Sequence, residues 1–225
     1  MGTNLLAQPA GALLNDFGAG KPTPGSGSAA ALNGILAAKL IRTVCLKTIQ
    51  KNVAEGKKDS QINLVMEQAQ EIVERLSENF QKDSDKFQEI VDLRTARDGE
   101  TDRDKATKIA REANSKLEQI NDVVFNIAED CLKLVDLSQA AFENGWPHIR
   151  GDAGAAMSSA IAGATSCAFV IGLNAKTLRR RKSSPELVQR CESLTKEVES
   201  KQALALTCVT NLTGEAREAI SEAML

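Results

Sequence analysis

The chain has 225 residues, of which 42% are hydrophobic, 26% charged and 3% aromatic, and its formal net charge is −2. This is the profile of a folded globular protein, and it excludes an overall field that would attract nucleic acid. Tyrosine is absent and Trp146 is the only tryptophan, so a core of leucine, isoleucine, valine and alanine is expected. Such a core suits packed helices, and one helical domain spanning 1–225 is predicted.

The five cysteines are widely spaced and form no CxxC pair: Cys45, Cys131, Cys167, Cys191 and Cys208. This odd number of scattered residues indicates buried free thiols in a reducing compartment. His148 is the only histidine, so no metal-ligand spacing exists and no metal is expected. Residues 1–6 lack the basic start and long apolar run of a signal peptide, which favours a cytoplasmic location.

Apolar residues recur at helical spacing along the chain, and no segment shows the alternation of a strand. Successive helices are predicted at 5–17, from the glycine-rich turn to 49, from Asp59 or Ser60 to 91, at 109–134, at 153–173 and from 184 onward. Polar or glycine-containing breaks separate them at 18–20, 52–58, 97–102 and 143–147. The pattern predicts an all-α bundle of about five or six helices, several of them long.

The fifth predicted helix, 153–173, carries no charge and is rich in Ala, Gly and Ser. Its length would allow a membrane span, but its small residues fit better a buried central helix wrapped by others. In the following helix Ser184 is placed to act as the cap, with Pro185 in the first turn.

A glycine-rich turn at 22–28 runs directly into the alanine-rich start of the second helix. Pro24 cannot continue a helix, and Gly25 and Gly27 allow close backbone approach. Ser26 or Ser28 is predicted to cap the helix. The free N–H groups of its first turn could hold an anion or a carbonyl oxygen. The alternative is an ordinary loop with a good cap.

Asp83 and Phe87 share one face of the third predicted helix, because they are four residues apart. If Phe87 is buried, Asp83 lies at the edge of the core, where a carboxylate is costly unless it is used or paired. The alternative is a solvated acid on the helix surface.

Residues 146–152 combine the only tryptophan and the only histidine with an arginine and an aspartate. Asp152 is predicted to cap the charge-free helix that follows. His148 has an intrinsic pKa suited to proton transfer near neutral pH. The alternatives are a structural hydrogen bond for His148 and a plain cap for Asp152. The basic run 179–182 is interpreted as a solvated cluster at a helix C-terminus, with nucleic-acid contact as its rival.

Three stretches resemble the cyclodeaminase and methenyltetrahydrofolate cyclohydrolase family, which includes the cyclodeaminase domain of formiminotransferase-cyclodeaminase. Residues 24–31 are similar to its PGGGSxAA turn and residues 83–87 to its Dxx(A)F helix segment. Residues 145–156, with 163–164 and 173–174, are similar to its GNxxxxSDxxxAA…GA…N stretch. The order and spacing agree over nearly the whole chain. Ser26, Trp146 and Gly151 stand where the family pattern has Gly, Asn and Ser, and 93–105 lacks its proline-rich pattern.

The resemblance implies an all-α, homodimeric enzyme of one-carbon metabolism, a hydrolase or lyase that acts on the N5/N10 one-carbon unit of tetrahydrofolate. The folate derivative would be the substrate, with no cofactor, no nucleic acid and no membrane partner. The catalytic residues it implies are Asp83, Asp152 and His148. The substrate-binding residues it implies are Pro24, Gly25, Ser26, Gly27, Ser28, Arg150 and Asn174.

Two alternatives follow from the departures in the turn and in 146–152. A divergent family member could catalyse another cyclisation or imine reaction on a non-folate substrate. A non-catalytic helical binding protein would use Asp83 and Asp152 structurally and could bind its partner through the basic run.

Overall fold

A computed structural model describes residues 4–57 and 60–224, and in these residues every regular element is a helix. The α-helices are α1 (Ala10–Gly18), α2 (Ser26–Ala54), α3 (Ser60–Gly99), α4 (Arg103–Asn144), α5 (Arg150–Thr177) and α6 (Ser184–Ala223). Short 3₁₀ helices, Leu5–Ala7 and Pro147–Ile149, precede α1 and α5. The predicted all-α bundle with several long helices is confirmed.

The first predicted helix, 5–17, is divided in two at Pro9. The chain forms the 3₁₀ helix first, and α1 starts only after the proline. A proline inside a helix removes a hydrogen bond and clashes with the preceding turn, so it is tolerated only at the start. The end of α1 is attached to the bundle through Phe17, whose ring lies edge-on to Phe80 of α3 with 6.3 Å between ring centroids.

α3 and α4 are amphipathic and pack along each other as a helical hairpin. The break between them is shorter than the predicted 97–102, because α3 continues to Gly99 and only residues 100–102 separate the helices. The Asp102 side chain caps α4 by accepting the backbone N–H groups of residues 104 and 105. Together with α2 and α5 they enclose a mainly aliphatic core. Its largest fully buried side chains are Phe80, Ile41, Ile62, Leu76, Ile90, Leu117, Ile120, Ile127, Leu134, Met157, Ile171 and Leu178.

The starts of α3 and α6 lie close to their predicted positions. α3 begins at Ser60, and Asp59, the other predicted start, lies outside the described residues. The prediction that Ser184 caps α6 is wrong by one position, because Ser183 precedes the helix. The Ser184 hydroxyl instead donates to the carbonyl oxygen of Leu178, which links the end of α5 to the start of α6.

α2 and α5 run antiparallel through the bundle at close range. A Cβ atom on Gly163 of α5 would lie 2.9 Å from the Ala30 carbonyl oxygen and 2.7 Å from Cys131 Sγ. Further along α2, Val44 lies against Gly145, just before α5 begins, where an added Cβ would lie 2.9 Å from Val44 Cγ1. Contacts closer than 3 Å leave no room for a side chain, so glycine is required at both crossings.

α5 occupies the predicted central position, but one of its faces is not buried. It packs against α2, α4 and α6, yet Phe169 is 77% and Leu173 65% exposed. The prediction of a helix wrapped on all sides is therefore wrong for this face. By length and composition, Ser26–Ala54 and Pro147–Thr177 could each cross a membrane, and less than half of each apolar stretch is buried within the chain. An apolar surface thus remains on α2 and α5.

The cysteines are placed as the sequence indicates. All five lie in the described residues and none forms a disulfide. Four are buried and Cys191 is half-buried on α6. The thiols therefore belong to the interior of the bundle, as expected for small apolar side chains.

Candidate active site

The glycine-rich turn leads into α2 as predicted, but no side chain caps this helix. Gly25 is its N-cap residue, and the prediction of a Ser26 or Ser28 cap is wrong. The turn is attached to α3, because the Thr23 hydroxyl donates to Gln88 Oε1 at 3.0 Å. Pro24 is buried, whereas the Ser26 side chain is exposed. Ser26 is therefore the serine of this turn that faces solvent.

Asp83 reaches from α3 to the first turn of α2. Its Oδ2 accepts a hydrogen bond of 2.8 Å from the Ser28 hydroxyl, and the Ser28 backbone N–H also donates to the carboxylate. A Cβ atom on Gly27 would lie 2.2 Å from Asp83 Oδ1, so only glycine leaves room for the carboxylate. The seat that the sequence predicted for an anion is therefore occupied by the chain's own Asp83.

Burial governs the acid–base properties of this region. Asp83 is only 5% exposed, which rules out the solvated surface acid. Burial raises the pKa of the Asp83 carboxyl above its usual value, although the hydrogen bonds from Ser28 lower it in part. Burial also raises the pKa of Cys131 to about 12. The pKa of Cys167 lies well above its usual value because of burial, with added repulsion from Cys131 and Asp83. Both thiols stay neutral, so Asp83 is the acid of this region.

His148 lies at the far end of α2 from the glycine turn. The Trp146 backbone N–H donates to Thr48 Oγ1 at 2.9 Å, which attaches the stretch to α2. The exposed imidazole of His148 stacks on the indole with 5.2 Å between ring centroids. The Lys51 ammonium lies over the same indole, 5.3 Å from its centroid. His148 is therefore a surface group supported by an aromatic ring.

Arg150 already has partners within the chain. Its Nε donates to the Phe142 carbonyl oxygen at 3.1 Å. Its Nη1 donates to both carboxylate oxygens of Glu215 on α6, at 2.9 and 2.8 Å. Asp152 lies half-buried in the first turn of α5, and the predicted cap is wrong because Ile149 is the N-cap residue. The partial positive charge of the helix start still favours the Asp152 carboxylate there.

Within one chain, these two groups of residues are far apart. Gly163 lies beside Ala30, near the start of α2, and Asp152 lies eleven residues before Gly163 on α5. At the rise of an α-helix, eleven residues span about 16 Å. Thr48, beside Trp146, lies eighteen residues beyond Ala30, which corresponds to about 27 Å. Asp83 therefore does not meet His148 or Asp152 inside one subunit.

Asn174 is part of a buried amide pair. Its Nδ2 donates to Asn121 Oδ1 of α4 at 2.9 Å, and Asn121 donates in turn to the Leu117 carbonyl oxygen at 2.8 Å. Both asparagines are buried. Asn174 also lies eleven residues beyond Gly163, on the opposite side from Asp152. Its visible role is to join α4 to α5.

The basic run 179–182 is partly structural. Arg181 pairs with Glu118 of α4, and hydrogen bonding from Arg181 lowers the pKa of the Glu118 carboxyl. The other three members of the run are exposed. A solvated basic cluster with one structural member agrees with the interpretation from sequence.

An open groove of about 1030 Å³ lies between the last turns of α5 and the first half of α6. Its walls include Gly172, Val188, Cys191 and Lys196, and none of the predicted catalytic residues. Volume alone therefore does not locate the chemistry, and the carboxylate geometry around Asp83 is the better guide.

Two residues that shape the candidate site had no signal in the sequence. Gln88 holds the glycine turn and Glu215 holds Arg150. Each belongs to a pair separated by 65 residues. Such pairs arise only when the helices pack, so no local motif could have revealed them.

The fold and the site define a class of protein: an all-helical bundle with a buried carboxylate held at the N-terminus of one of its central helices. The chain belongs to the formiminotransferase-cyclodeaminase family, whose family model matches residues 9–193. The family predicted from the three sequence stretches is confirmed.

The chain is also similar to two individual proteins. It is 30% identical over 185 residues to a methenyltetrahydrofolate cyclohydrolase of Methylorubrum extorquens, covering 82% of this chain and 87% of that one. Its fold is similar to the crystal structure of formiminotetrahydrofolate cyclodeaminase from Thermotoga maritima, with a TM-score of 0.75 and 15% identity. That superposition covers 93% of this chain and 99% of the other, and at this identity it supports the fold alone.

Proposed function

We propose that the protein is a folate one-carbon enzyme of the cyclohydrolase or cyclodeaminase type, acting on the carbon between N5 and N10 of tetrahydrofolate. The observation that carries the proposal is Asp83, a buried acid held against the first turn of α2 in a member of this family. The similarity to a methenyltetrahydrofolate cyclohydrolase supports the substrate class.

Both reactions require a proton to move from a nucleophile to a leaving nitrogen. In the hydrolysis, water bonds to the methenyl carbon and gives a proton to a base. The bond from that carbon to N5 then breaks, N5 takes up a proton, and the new hydroxyl loses its proton to become the formyl group. In the deamination, the formimino nitrogen starts in its protonated form. N10 bonds to the formimino carbon, the N10 proton passes to the exocyclic nitrogen, and ammonia leaves as the methenyl cation forms. One acid–base group near the carbon can serve both reactions.

We assign the proton transfer to Asp83 and the binding of pterin N–H groups to Asp152. Burial raises the pKa of the Asp83 carboxyl, so it is a stronger base than an ordinary carboxylate and is better suited to accept and return a proton. Asp152 lies half-buried in the first turn of α5, where its carboxylate oxygens can accept hydrogen bonds. His148, on the surface beside Trp146, would lie at the rim of the site.

A homodimer would bring these separated groups together. α2 and α5 are antiparallel, so the glycine turn lies near the C-terminal half of α5 while Asp152 lies at its N-terminus. Two α5 helices that pack antiparallel about a twofold axis near their middle would place Asp152 of one subunit beside the Asp83 region of the other. The site would then form twice, between subunits.

The exposed face of α5 fits this arrangement. Its exposed positions include small residues in the N-terminal half and large ones in the C-terminal half, spaced by three or four residues except for one interval of seven: Gly151, Ala155, Ser158, Ala162, Phe169 and Leu173. In an antiparallel pair the small residues of one helix face the large residues of the other. Exposed Leu36 extends the apolar surface onto α2. Covering this surface would remove the apolar area that otherwise suits a membrane.

Arg150 and the glycine turn would hold the rest of the substrate. A guanidinium can bind a carboxylate of the folate glutamate. Arg150 is paired with Glu215, however, and the substrate would have to displace that carboxylate. In the turn, Gly25 and the exposed Ser26 would contact the ligand. Pro24 and Gly27 would shape the backbone, and Asn174 would support α5 from its buried pair. The substrate would be the folate itself, without a cofactor, and the thiol-rich interior suits the cytoplasm.

The direct test is turnover of methenyltetrahydrofolate, followed by the loss of its absorbance, and of formiminotetrahydrofolate, followed by release of ammonia. We expect one of the two reactions to exceed the buffer rate by several orders of magnitude. If neither substrate is turned over and calorimetry detects no binding of either, the folate proposal is wrong. Turnover of another imine in their place would identify the divergent family member.

Subunit complementation tests the shared site. Asp83→Asn and Asp152→Asn should each be inactive, but mixed dimers contain one site with both wild-type carboxylates. After joint unfolding and refolding at equal amounts, we expect about a quarter of wild-type activity, because half the dimers are mixed and each has one intact site. Refolding each variant alone is the control. Mixed samples without activity would exclude a site between subunits.

A further inference from the structure

The Ser28 hydroxyl has two acceptors within reach but only one hydrogen. Its Oγ lies 2.8 Å from Asp83 Oδ2 and 3.3 Å from the Phe80 carbonyl oxygen. When Asp83 is ionised, the hydroxyl donates to the carboxylate, which is the stronger acceptor. When Asp83 is protonated, its own O–H can donate to Ser28 Oγ, and the Ser28 hydrogen can turn to Phe80. The hydroxyl thus has a complete hydrogen-bond arrangement in both states.

Ser28 has no route to a ligand. Its relative exposure is 0%, and both its hydroxyl and its backbone N–H are directed at Asp83. The sequence motif suggested a substrate contact for this residue, whereas the structure directs it inward. A buried hydroxyl that touches only a buried acid and a carbonyl acts on that acid.

The charged form of Asp83 depends on the hydrogen bonds from Ser28. In the described part of the chain, no lysine or arginine contributes to its ionisation equilibrium. The neutral thiol of Cys167 on α5 is a titratable group that interacts with it. Gly27 leaves room for the carboxylate, and Ser28 supplies both hydrogen bonds that favour its charged form. A buried carboxylate without such donors would stay protonated.

We propose that Ser28 is a positioning residue that lets Asp83 alternate between its charged and neutral forms without leaving the N-terminus of α2. This inference rests on the proposed function for its catalytic consequence, since the proton that Asp83 carries belongs to the folate reaction. The hydroxyl passes no proton to substrate. It reverses its hydrogen bond each time Asp83 gains or loses one.

The test measures the Asp83 ionisation directly. Protein with ¹³C-labelled aspartate carboxyls is titrated by NMR, and the Asp83 signal is assigned by its loss in Asp83→Asn. Ser28→Ala should raise the pKa of Asp83 by about one pH unit or more, since it removes a hydrogen bond to a charged group. Ser28→Cys, a weaker donor of similar size, should lie between wild type and Ser28→Ala, and it replaces Ser28→Ala if that variant does not fold.

Ser138→Ala is the matched control. Ser138 is also 0% exposed, but its hydroxyl donates to the Leu134 carbonyl oxygen within α4 at 2.6 Å. It should leave the Asp83 titration unchanged. In the turnover assay, Ser28→Ala should lower kcat and move the acidic limb of the pH profile upward, with KM nearly constant. An unchanged Asp83 titration in both Ser28 variants would overturn the inference, whatever the activity. A shifted titration without folate turnover would instead contradict the proposed function alone.

Discussion

The two halves of the proposed site, the glycine-turn region and the Trp146–Asp152 region, differ in how deeply their side chains are buried. At the glycine turn, the Asp83 carboxylate is buried and accepts a hydrogen bond from Ser28 of the same chain. At the other end of α2, the His148 side chain is exposed and the Asp152 side chain is half-buried. The first region is complete in one subunit, whereas the second faces outward, toward the surface that a second subunit would cover.

Replacement of the Asp83 carboxyl should have the largest effect. Asp83→Asn keeps the size of the side chain but removes the proton that we assign to catalysis, so kcat should fall by about 10²–10⁴-fold. Asp85→Asn, an exposed neighbour on α3, is the control and should retain activity. Steady-state kinetics on the preferred folate substrate checks both. A kcat equal to that of wild type in Asp83→Asn would show that Asp83 does not take part in the mechanism.

Gly27→Ala tests how closely the turn fits Asp83. The added methyl would lie 2.2 Å from Asp83 Oδ1, so either the carboxylate or the turn must move, at a cost of about 1–3 kcal/mol. Thermal unfolding should show a clear drop in Tm. Gly214→Ala in α6, where nothing lies within 4 Å of the new Cβ, is the control and should be neutral or stabilising. Equal Tm values for the two variants would mean that the turn is not tightly packed.

Phe169→Glu tests the proposed contact between two subunits along the exposed face of α5. A charge on the exposed face of α5 should dissociate the dimer, measured by light scattering, and activity should fall with it because the site needs both subunits. Leu64→Glu, at an exposed apolar position on α3, should keep both dimer and activity. A wild-type protein that is monomeric and active, or that floats with lipid vesicles, would contradict the proposed interface.

The raised pKa of Asp83 predicts a pH-dependent difference in stability. A carboxyl whose pKa is higher in the folded than in the unfolded state binds its proton more tightly when the protein is folded. Wild type therefore loses stability as the pH rises from the pKa of the unfolded state, about 4, toward the pKa of the folded state. Asp83→Asn has no such titration. Its Tm relative to wild type should therefore be higher at pH 7 than at pH 4. A constant difference across this range would show that the Asp83 pKa is not raised.

The ion pair between Arg150 and Glu215 should give the smallest effect. Glu215 is 55% exposed, and an exposed pair contributes only about 0–1 kcal/mol. Glu215→Gln should lower KM for a glutamate-bearing folate by up to about fivefold, and leave KM unchanged for the analogue without glutamate. Glu218→Gln, exposed on the same helix, is the control. Equal KM changes for both folates would show that Arg150 does not bind the glutamate tail.

Helical periodicity predicted most of the fold because α3 and α4 each carry a continuous apolar stripe and end at recognisable breaks. The errors are local. Pro9 divides the first helix, and the predicted caps at Ser184 and Asp152 are displaced from the true helix starts. Capping depends on the backbone angles of single residues, which packing adjusts, whereas an amphipathic stripe depends on many residues together.

The sequence by itself determined the helical class, the family and the three stretches that contain the candidate site. Each of these can be recognised from the types of residues and their spacing along the chain. Only the tertiary structure decided how those stretches act. It brought Asp83 to Ser28 across 55 residues of sequence, paired Arg150 with Glu215 across 65 residues, and kept Asp152 away from Asp83. The physical reason is that a carboxylate's burial, its partners and its pKa depend on which helices pack around it.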